Sequence, residues 1–477
     1  MALAQDQVAA PALGERLTQE MIAHELSLFR IRAEGRRIFA TPFNRLDGFG
    51  DGPMNQQNRI DPGGRPGLQS SGQPFLRFNG LDSQTCLECH NILSNREIPA
   101  TNAVGGAGGV SQSAFPGVLQ PDIADSENNG FARIAGRIIN PPFNFGAGGI
   151  ELLAKEMTAN LHALKGVAEA NPGVAIPLDT HGVNFGTLRF DGSGFDTRGI
   201  EGVDEDLVVR PFGRKGCCQT VRQFDVGAME FHHGIQPVEV VGDGDADGDG
   251  FVNEISVGEI SALHIFQAAL ERPRETRRGS QARAGEALFQ QIGCADCHMP
   301  ELRTESRFLG MAFPEVETDP GANVYRWVDL SRPSPGFSRA GRGVRVRLFA
   351  DLKRHDMGGD MAESTGGELD RFFQTARLWG VADTAPYLHD GRATTLADAI
   401  EMHGGEGAAA SDAFSLLTDD ERAAIVAFLM TLRTPEEPSE DLADEDEDEE
   451  RRDSSGRRNR GRRGGESRSE GRDRGGV

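Results

Sequence analysis

The chain has 477 residues, of which 38% are hydrophobic, and a formal net charge of −23. At about 150 residues per domain, that length suggests roughly three units, and the apolar share suits a globular core rather than a wholly disordered chain. The acidity argues against non-specific nucleic-acid binding, which needs basic surface to neutralise phosphates, and is compatible with a basic redox partner. No apolar run approaches the ~18 residues of a membrane span.

The N-terminus, Met1-Ala-Leu-Ala-Gln-Asp, has neither a basic stretch nor an apolar one, so no signal peptide is expected in it. Ala2-Leu3-Ala4 resembles the end of a cleavage site. Residues 15–40 read as one helix with Leu17, Ile22, Leu26, Leu28, Phe29 and Ile31 on a broad apolar stripe. A Gly/Pro/Asn-rich stretch from Phe43 to Gly80 reads as loops.

Next comes Cys86-Leu-Glu-Cys89-His90, and a second copy stands at Cys294-Ala-Asp-Cys297-His298. Cys-x-x-Cys-His is the c-type haem attachment pattern. Two thiols on one short turn form thioethers with the vinyl groups, and the adjacent imidazole becomes the proximal iron ligand. A shared zinc site is disfavoured because its ligands must cluster and these motifs are some 200 residues apart. Two covalently bound haem c groups are expected. Attachment of this kind takes place outside the cytoplasm, so a periplasmic or other extracytoplasmic location is expected as well.

Residues 101–150 are Gly-rich, Ile150 to Leu164 reads as an amphipathic helix, and residues 170–215 mix short strands and turns. Cys217-Cys218 read as two unreacted thiols, a strained vicinal disulfide being the redox alternative. Asp243-Gly-Asp245-Ala-Asp247-Gly-Asp249-Gly-Phe-Val-Asn-Glu254 alternates carboxylates as calcium loops do. One register starts at Asp243 and puts Glu254 at position 12; the other starts at Asp245 and puts Gly250 at position 6. A structural Ca²⁺ between the two haem halves is expected.

Gln281 to Ile292 reads as a helix leading into the second motif. Asp419 to Leu432 reads as a closing helix, with Thr418 and Glu421 forming a capping box. Residues 436–450 hold eleven acidic and no basic residues, and 451–477 hold ten Arg among Gly and Ser, so 436–477 is expected to be disordered. The expectation is a mainly α protein with two cytochrome c-like haem domains and long loops. A first haem domain would span 15–240, a calcium connector 241–275, a second haem domain 276–435 and a charged tail 436–477.

The two motifs, with Asn140-Pro-Pro-Phe-Asn-Phe-Gly-Ala-Gly-Gly-Ile-Glu151, Gly202-Val-Asp-Glu-Asp-Leu-Val-Val-Arg-Pro211, Asp247–Glu254, His355-Asp-Met-Gly358, Leu378-Trp-Gly380 and Pro386-Tyr-Leu-His-Asp-Gly-Arg392 to His403-Gly-Gly-Glu406, resemble the dihaem oxidoreductase family of peroxidases over roughly residues 30–434. This family is similar to bacterial dihaem cytochrome c peroxidases and to the dihaem enzyme that matures methylamine dehydrogenase. The resemblance implies that electrons from a small donor protein, such as a monohaem cytochrome c, enter at the second haem and reach a reactive first haem that reduces hydrogen peroxide. It puts the second haem's distal ligand fourteen residues after His389, at His403, where the relatives have Met or Tyr. Met402 is the fallback there, with Met357 and His355 as further candidates. His389 would orient its own turn or a haem propionate.

A peroxide-reducing iron also needs a group that moves a proton between the peroxide oxygens. Glu151 is the first choice, with Glu156 and Glu230 as alternatives. His232 and His233 are candidates for an imidazole near the first haem, and His162 reads as a helix-surface residue. The family's Trp between the haems is missing, since no Trp precedes Trp327; Phe143 or Phe145 would fill that space. A non-catalytic electron carrier and an O₂-dependent oxidase or oxygenase are the competing readings.

Overall fold

The computed structural model describes residues 11–49, 85–88, 90, 118–124, 133–246, 250–365 and 368–435. All of them fall within one compact unit, residues 1–438. Cys89, Asp247, Asp249 and the charged tail lie outside the described residues.

The helices are α1 (Leu28–Ala40), α2 (Ala147–Ala170), α3 (Val221–Ala228), α4 (Val238–Val241), α5 (Val257–Ala268), α6 (Ser280–Gln291), α7 (Leu396–Glu401), α8 (Ala408–Ser415) and α9 (Asp419–Leu429). The single helix expected over 15–40 is instead a π-turn, Met21–Glu25, followed by α1. The chain turns extended at Leu26 and Ser27, and the Ser27 hydroxyl then caps α1 by accepting from Arg30 N. Capping boxes start α3 (Thr220/Gln223), α5 (Ser256/Glu259), α7 (Thr395/Asp398) and α9 (Thr418/Glu421), the last as expected from sequence.

The expectation of a mainly α fold is overturned, because helix accounts for 38% and strand for 17% of the structure. The strands lie in small two- and three-stranded sheets. β1 (Val118–Ala124) pairs with β2 (Arg133–Ile139), and β3 (Ala175–Thr180), β4 (Val183–Phe190) and β5 (Phe195–Asp196) form a meander. β6 (Arg274–Glu275) pairs with the terminal β16 (Leu432–Arg433). β7 (Leu302–Arg303) joins β10 (Arg339–Ala340) and β11 (Gly343–Val346), while β8 (Phe308–Ala312) pairs with β9 (Val324–Asp329). β12 (Arg354–Asp356) pairs with β15 (Phe372–Gln374), and β13 (Glu363–Thr365) with β14 (Glu368–Asp370). Most of these strands are two to six residues long and sit among glycines and prolines. Such segments are too short for a period-2 signal to stand out, so they read as loop.

Two hydrophobic clusters hold the fold. The larger gathers α1, α2 and α5 with the meander and with residues 302–352. Its helices approach closely: a Cβ at Gly35 of α1 would lie 2.1 Å from Ala262 O of α5. The smaller cluster joins Ala282 and Phe289 of α6 to Ile425, Phe428 and Leu429 of α9, with Phe349, Leu396 and Phe414. Cys294 and Ala295 of the second Cys-x-x-Cys-His turn pack against it. The segment 302–352, expected in the second haem domain, thus contributes mostly to the larger core.

Candidate functional site

At the second motif a 3₁₀ turn, Cys294–Asp296, brings His298 N to donate to Cys294 O at 3.0 Å. The ring of His298 packs on Phe289 of α6, with centroids 6.4 Å apart, and its Nδ1 donates to Phe349 O at 3.1 Å. Across from it stands His403, just past α7, whose Nδ1 donates to Ala399 O at 2.8 Å. The two imidazole centroids are 6.3 Å apart, at 66°. An iron bound by both Nε2 atoms at about 2 Å, with about 1.2 Å from nitrogen to ring centre, needs centroids roughly 6.4 Å apart. These residues therefore fit a haem iron held between two histidines. Burial, and then the neighbouring His403, lower the His298 pKa to about 4, which keeps its nitrogen a neutral ligand.

At the first motif, His90 N donates to Cys86 O at 2.8 Å and His90 Nδ1 donates to Pro142 O at 2.6 Å. Burial lowers its pKa to about 4, with His232 adding to the effect against the Pro142 bond. His90, His298 and His403 share one arrangement, in which Nδ1–H is tied to a backbone carbonyl and the Nε2 lone pair is left for a metal. By contrast, Nε2 is paired with a carboxylate in His181 (Glu156), His264 (Glu151), His355 (Asp351) and His389 (Glu363). Both ring nitrogens of His355 are engaged, since Nδ1 also meets Glu406 at 2.7 Å, which leaves it no lone pair for iron. Met402 is 40% exposed, whereas His403 faces inward to His298.

A second π-turn, Met229–His233, carries Glu230, His232 and His233 beside the first motif. His233 Nε2 is 3.9 Å from Cys86 Sγ, and its ring packs on Phe43 at 5.2 Å. Glu230 is 6% exposed, and burial pushes its pKa up to about 7. It is thus poised to gain or lose a proton near neutrality.

Glu151 is in a different state. It is fully buried on α2, accepting from Lys155 Nζ at 2.7 Å, His264 Nε2 at 2.8 Å and Val221 N at 3.1 Å. Burial works against ionisation, but His264 and Lys155 outweigh it and hold the carboxyl well below its usual range. Glu315 completes this group, and the Lys155 ammonium reaches both carboxylates, at 2.7 Å from Glu151 and 3.7 Å from Glu315. Sequence reading missed Lys155, His264 and Glu315. Only the Glu151/Lys155 spacing of four along a helix hinted at the pair. His162 has a buried Nε2 with no hydrogen-bond partner among the described residues.

In the acidic loop, Gly250 takes φ +95° and its N donates to Asp245 Oδ2 at 3.1 Å, a turn that matches the register beginning at Asp245. Asp243 is exposed, and Glu254 is buried, accepting from Gln236 N at 2.7 Å. Cys217 and Cys218 are unbonded, with their sulfurs 2.8 Å apart. Phe143 and Phe145 pack at 5.9 Å, and the buried Trp379 lies against the adjoining Gly146, where any side chain would collide with its ring.

The family model for "Di-haem oxidoreductase, putative peroxidase" matches residues 335–432. The chain is 31% identical over 185 residues to a protein named cytochrome-c peroxidase IdrP2 from Pseudomonas sp. (strain SCT), over 37% of this chain and 47% of the relative. It is 28% identical over 155 residues to IdrP2 of Denitromonas iodatirespirans, over 32% of this chain and 40% of the relative. The chain thus spans less than half the length of these relatives. Among solved structures, a MauG-like protein associated with microbial copper homeostasis matches 48% of this chain and 71% of its own, at 17% identity. Its TM-score of 0.27 is too small to establish a shared fold. The family match, which contains His403, and these relatives make the chain similar to di-haem oxidoreductases and to proteins named cytochrome-c peroxidases.

Proposed function

We propose that the chain is a dihaem c-type cytochrome that reduces peroxide at its first haem with electrons received at its second. Cys86, Cys89 and His90 would hold one haem, and Cys294, Cys297 and His298 the other, with His403 as the second haem's distal ligand. One observation carries the reading: the two motifs have unlike surroundings. His298 faces a histidine at iron-spanning distance, which suits electron transfer by a closed, six-coordinate iron. His90 has beside it a turn bearing Glu230, a buried carboxyl that titrates near 7, and two histidines.

A haem supplies the redox chemistry when bound; the protein's part is to orient ligands and move protons. Glu230 is the favoured proton carrier, accepting a proton from the bound peroxide's near oxygen and returning it to the far one. His233 would help place the peroxide or fill a distal position. Glu151 is assigned a positioning role, because a general acid must carry a proton and this carboxyl is held ionised by three donors. Calcium would bind the loop in the register beginning at Asp245, with Asp247 and Asp249 contributing. A small electron-donor protein such as a monohaem cytochrome c and an extracytoplasmic location complete the proposal. Among the described residues no helix is long and apolar enough to cross a membrane.

Low-temperature EPR of the ferric protein, repeated after partial reduction, tests this. A high-spin signal, at rest or after one-electron reduction, that shifts with cyanide is expected. Two low-spin signals unaffected by reduction, cyanide or peroxide would leave an electron carrier. An open iron that turns over O₂ but not peroxide would favour an oxidase.

A further inference from the structure

In a chain of net charge −23, five arginines converge on one cavity of about 240 Å³. Arg272 and Arg274 come from the segment after α5, Arg339 from β10, Arg345 from β11 and Arg347 from just beyond it. Strand alternation explains part of the convergence: Val344 and Val346 turn into the core, so Arg345 and Arg347 share the opposite face.

Among the described residues only two carboxylates, Glu275 and Glu301, line the cavity, and both already serve arginines. Glu275 pairs with Arg347 and Arg278, and Glu301 with Arg303. Among the described residues neither Arg339 nor Arg345 has a carboxylate partner. Burial, with Arg347 adding its like charge, pulls the Arg272 guanidinium below its ordinary value, against the pull of Glu275.

The cavity is also lined by the indole of Trp379, 4% exposed, whose buried Nε1–H has no hydrogen-bond partner among the described residues. An orphaned buried donor costs on the order of 1–3 kcal/mol unless something accepts from it. Excess guanidinium charge and an unanswered N–H call for the same thing, an acceptor that carries negative charge.

We propose that this cavity binds an anionic oxygen group, carboxylate or phosphate in type. Two sources can supply it. From within, a haem propionate is at hand if the proposed haems are present, because lining residues stand close along the chain, or by packing, to segments next to both motifs. Trp379 packs on Gly146, four residues after the Pro142 that orients His90, and Glu301 is three residues after His298. From solution, a free oxyanion can enter past the exposed Arg339 and Arg345.

The test uses the haem-loaded protein, with its haem content counted by pyridine haemochrome. Inorganic phosphate is titrated in calorimetrically at low salt. The haem midpoint potentials and the propionate bending bands in resonance Raman spectra are compared between the parent and Arg345→Gln, an exposed change that leaves the fold intact. For a free oxyanion, phosphate binds and is weakened about tenfold by Arg345→Gln, with a loss also in Trp379→Phe, which removes only the N–H donor. For a propionate, no phosphate is taken up, one haem's potential falls in Arg345→Gln because a positive charge has left its surroundings, and its bending band shifts. A protein with two haems, no phosphate uptake and no spectral or potential change overturns the proposal. A protein without haem overturns the proposed function instead, and the phosphate titration alone then decides the cavity.

Discussion

The two Cys-x-x-Cys-His turns are supported in opposite ways. Around His298 the partners gather about the smaller hydrophobic cluster: α6 delivers Phe289, the chain after β11 delivers Phe349 O, and the turn after α7 delivers His403. Around His90 they are of mixed chemistry. Phe43 comes from before the motif, Pro142 from some fifty residues later, and Glu230, His232 and His233 from a π-turn well beyond that. The second site is closed by a facing imidazole, whereas the first is bordered by Glu230, a buried carboxyl that titrates near 7, and by two histidines. Assembling a site from distant segments is how side chains of unlike chemistry meet, and π-turns recur at such places.

The sharpest break of this comparison is His403→Ala. Removing the facing imidazole should turn the second iron from low-spin to high-spin while leaving the first haem's signal as it was. EPR and the optical charge-transfer region read both irons at once. If the low-spin signal persists, another side chain closes the second iron, and Met357, whose Cε lies within 3.4 Å of a Cβ built at Gly407 beside His403, is the first suspect.

Lys155→Met tests the scaffold under the first site. It leaves Glu151 and Glu315 buried without their cation, and breaking one partner of a buried pair costs ~3–5 kcal/mol. Thermal or urea unfolding should show that loss. Glu151 is held ionised in the fold, below its unfolded value, so the stabilisation is present above about pH 4.5 and fades as pH falls through the folded pKa near 2. In Lys155→Met this acid limb should shrink. An unchanged acid limb would mean that the pair is not coupled to folding.

Glu230→Gln separates proton transfer from iron chemistry. Loss of a positioned acid-base group lowers the rate by roughly 10²–10⁴-fold. Because Glu230 must start deprotonated to accept the first proton, kcat/KM for peroxide should rise as pH passes up through about 7, and the variant should lose that limb. The stability effect has the opposite sense: burial raises the pKa above its unfolded value, so the fold is favoured below about pH 4.5 and loses that advantage as pH climbs to 7. If the rate limb survives in Glu230→Gln, the proton carrier is another group.

The legible parts of this molecule in its sequence were those with short-range rules. The Thr418/Glu421 box is such a local pattern, and the structure shows it formed; the Cys-x-x-Cys-His motifs are visible by spacing, and the step from His389 to His403 came from the family resemblance. Glu151 was visible as a residue, but not its state. Its partners His264 and Glu315 come from α5 and from a loop after β8, joined only by tertiary packing. The short strands expected over 170–215 are there as the β3–β5 meander, but most other strands stayed hidden because two- to six-residue strands in Gly- and Pro-rich sequence have no period long enough to detect, and the sheets they form depend on which distant strand arrives. The arginine cavity is the same case, since nothing in the spacing of Arg272, Arg339 and Arg345 says that they converge.

The gentlest probe is Thr418→Ala. The Thr418 hydroxyl accepts from Glu421 N, and the Glu421 carboxylate accepts from Thr418 N at 2.9 Å, so two backbone donors at the start of α9 lose their partner or its support. The expected cost is about 1 kcal/mol. α9 packs on α6 through Phe428 and Phe289, and Phe289 lies against His298, so the loosening should reach the second haem and not the first. Hydrogen exchange should quicken in α9 and α6 while α2 and α5, in the other cluster, keep their protection. Equal loosening of both clusters would mean that the two cores unfold as one cooperative unit, and the local support of the second site would then owe its stability to the whole molecule.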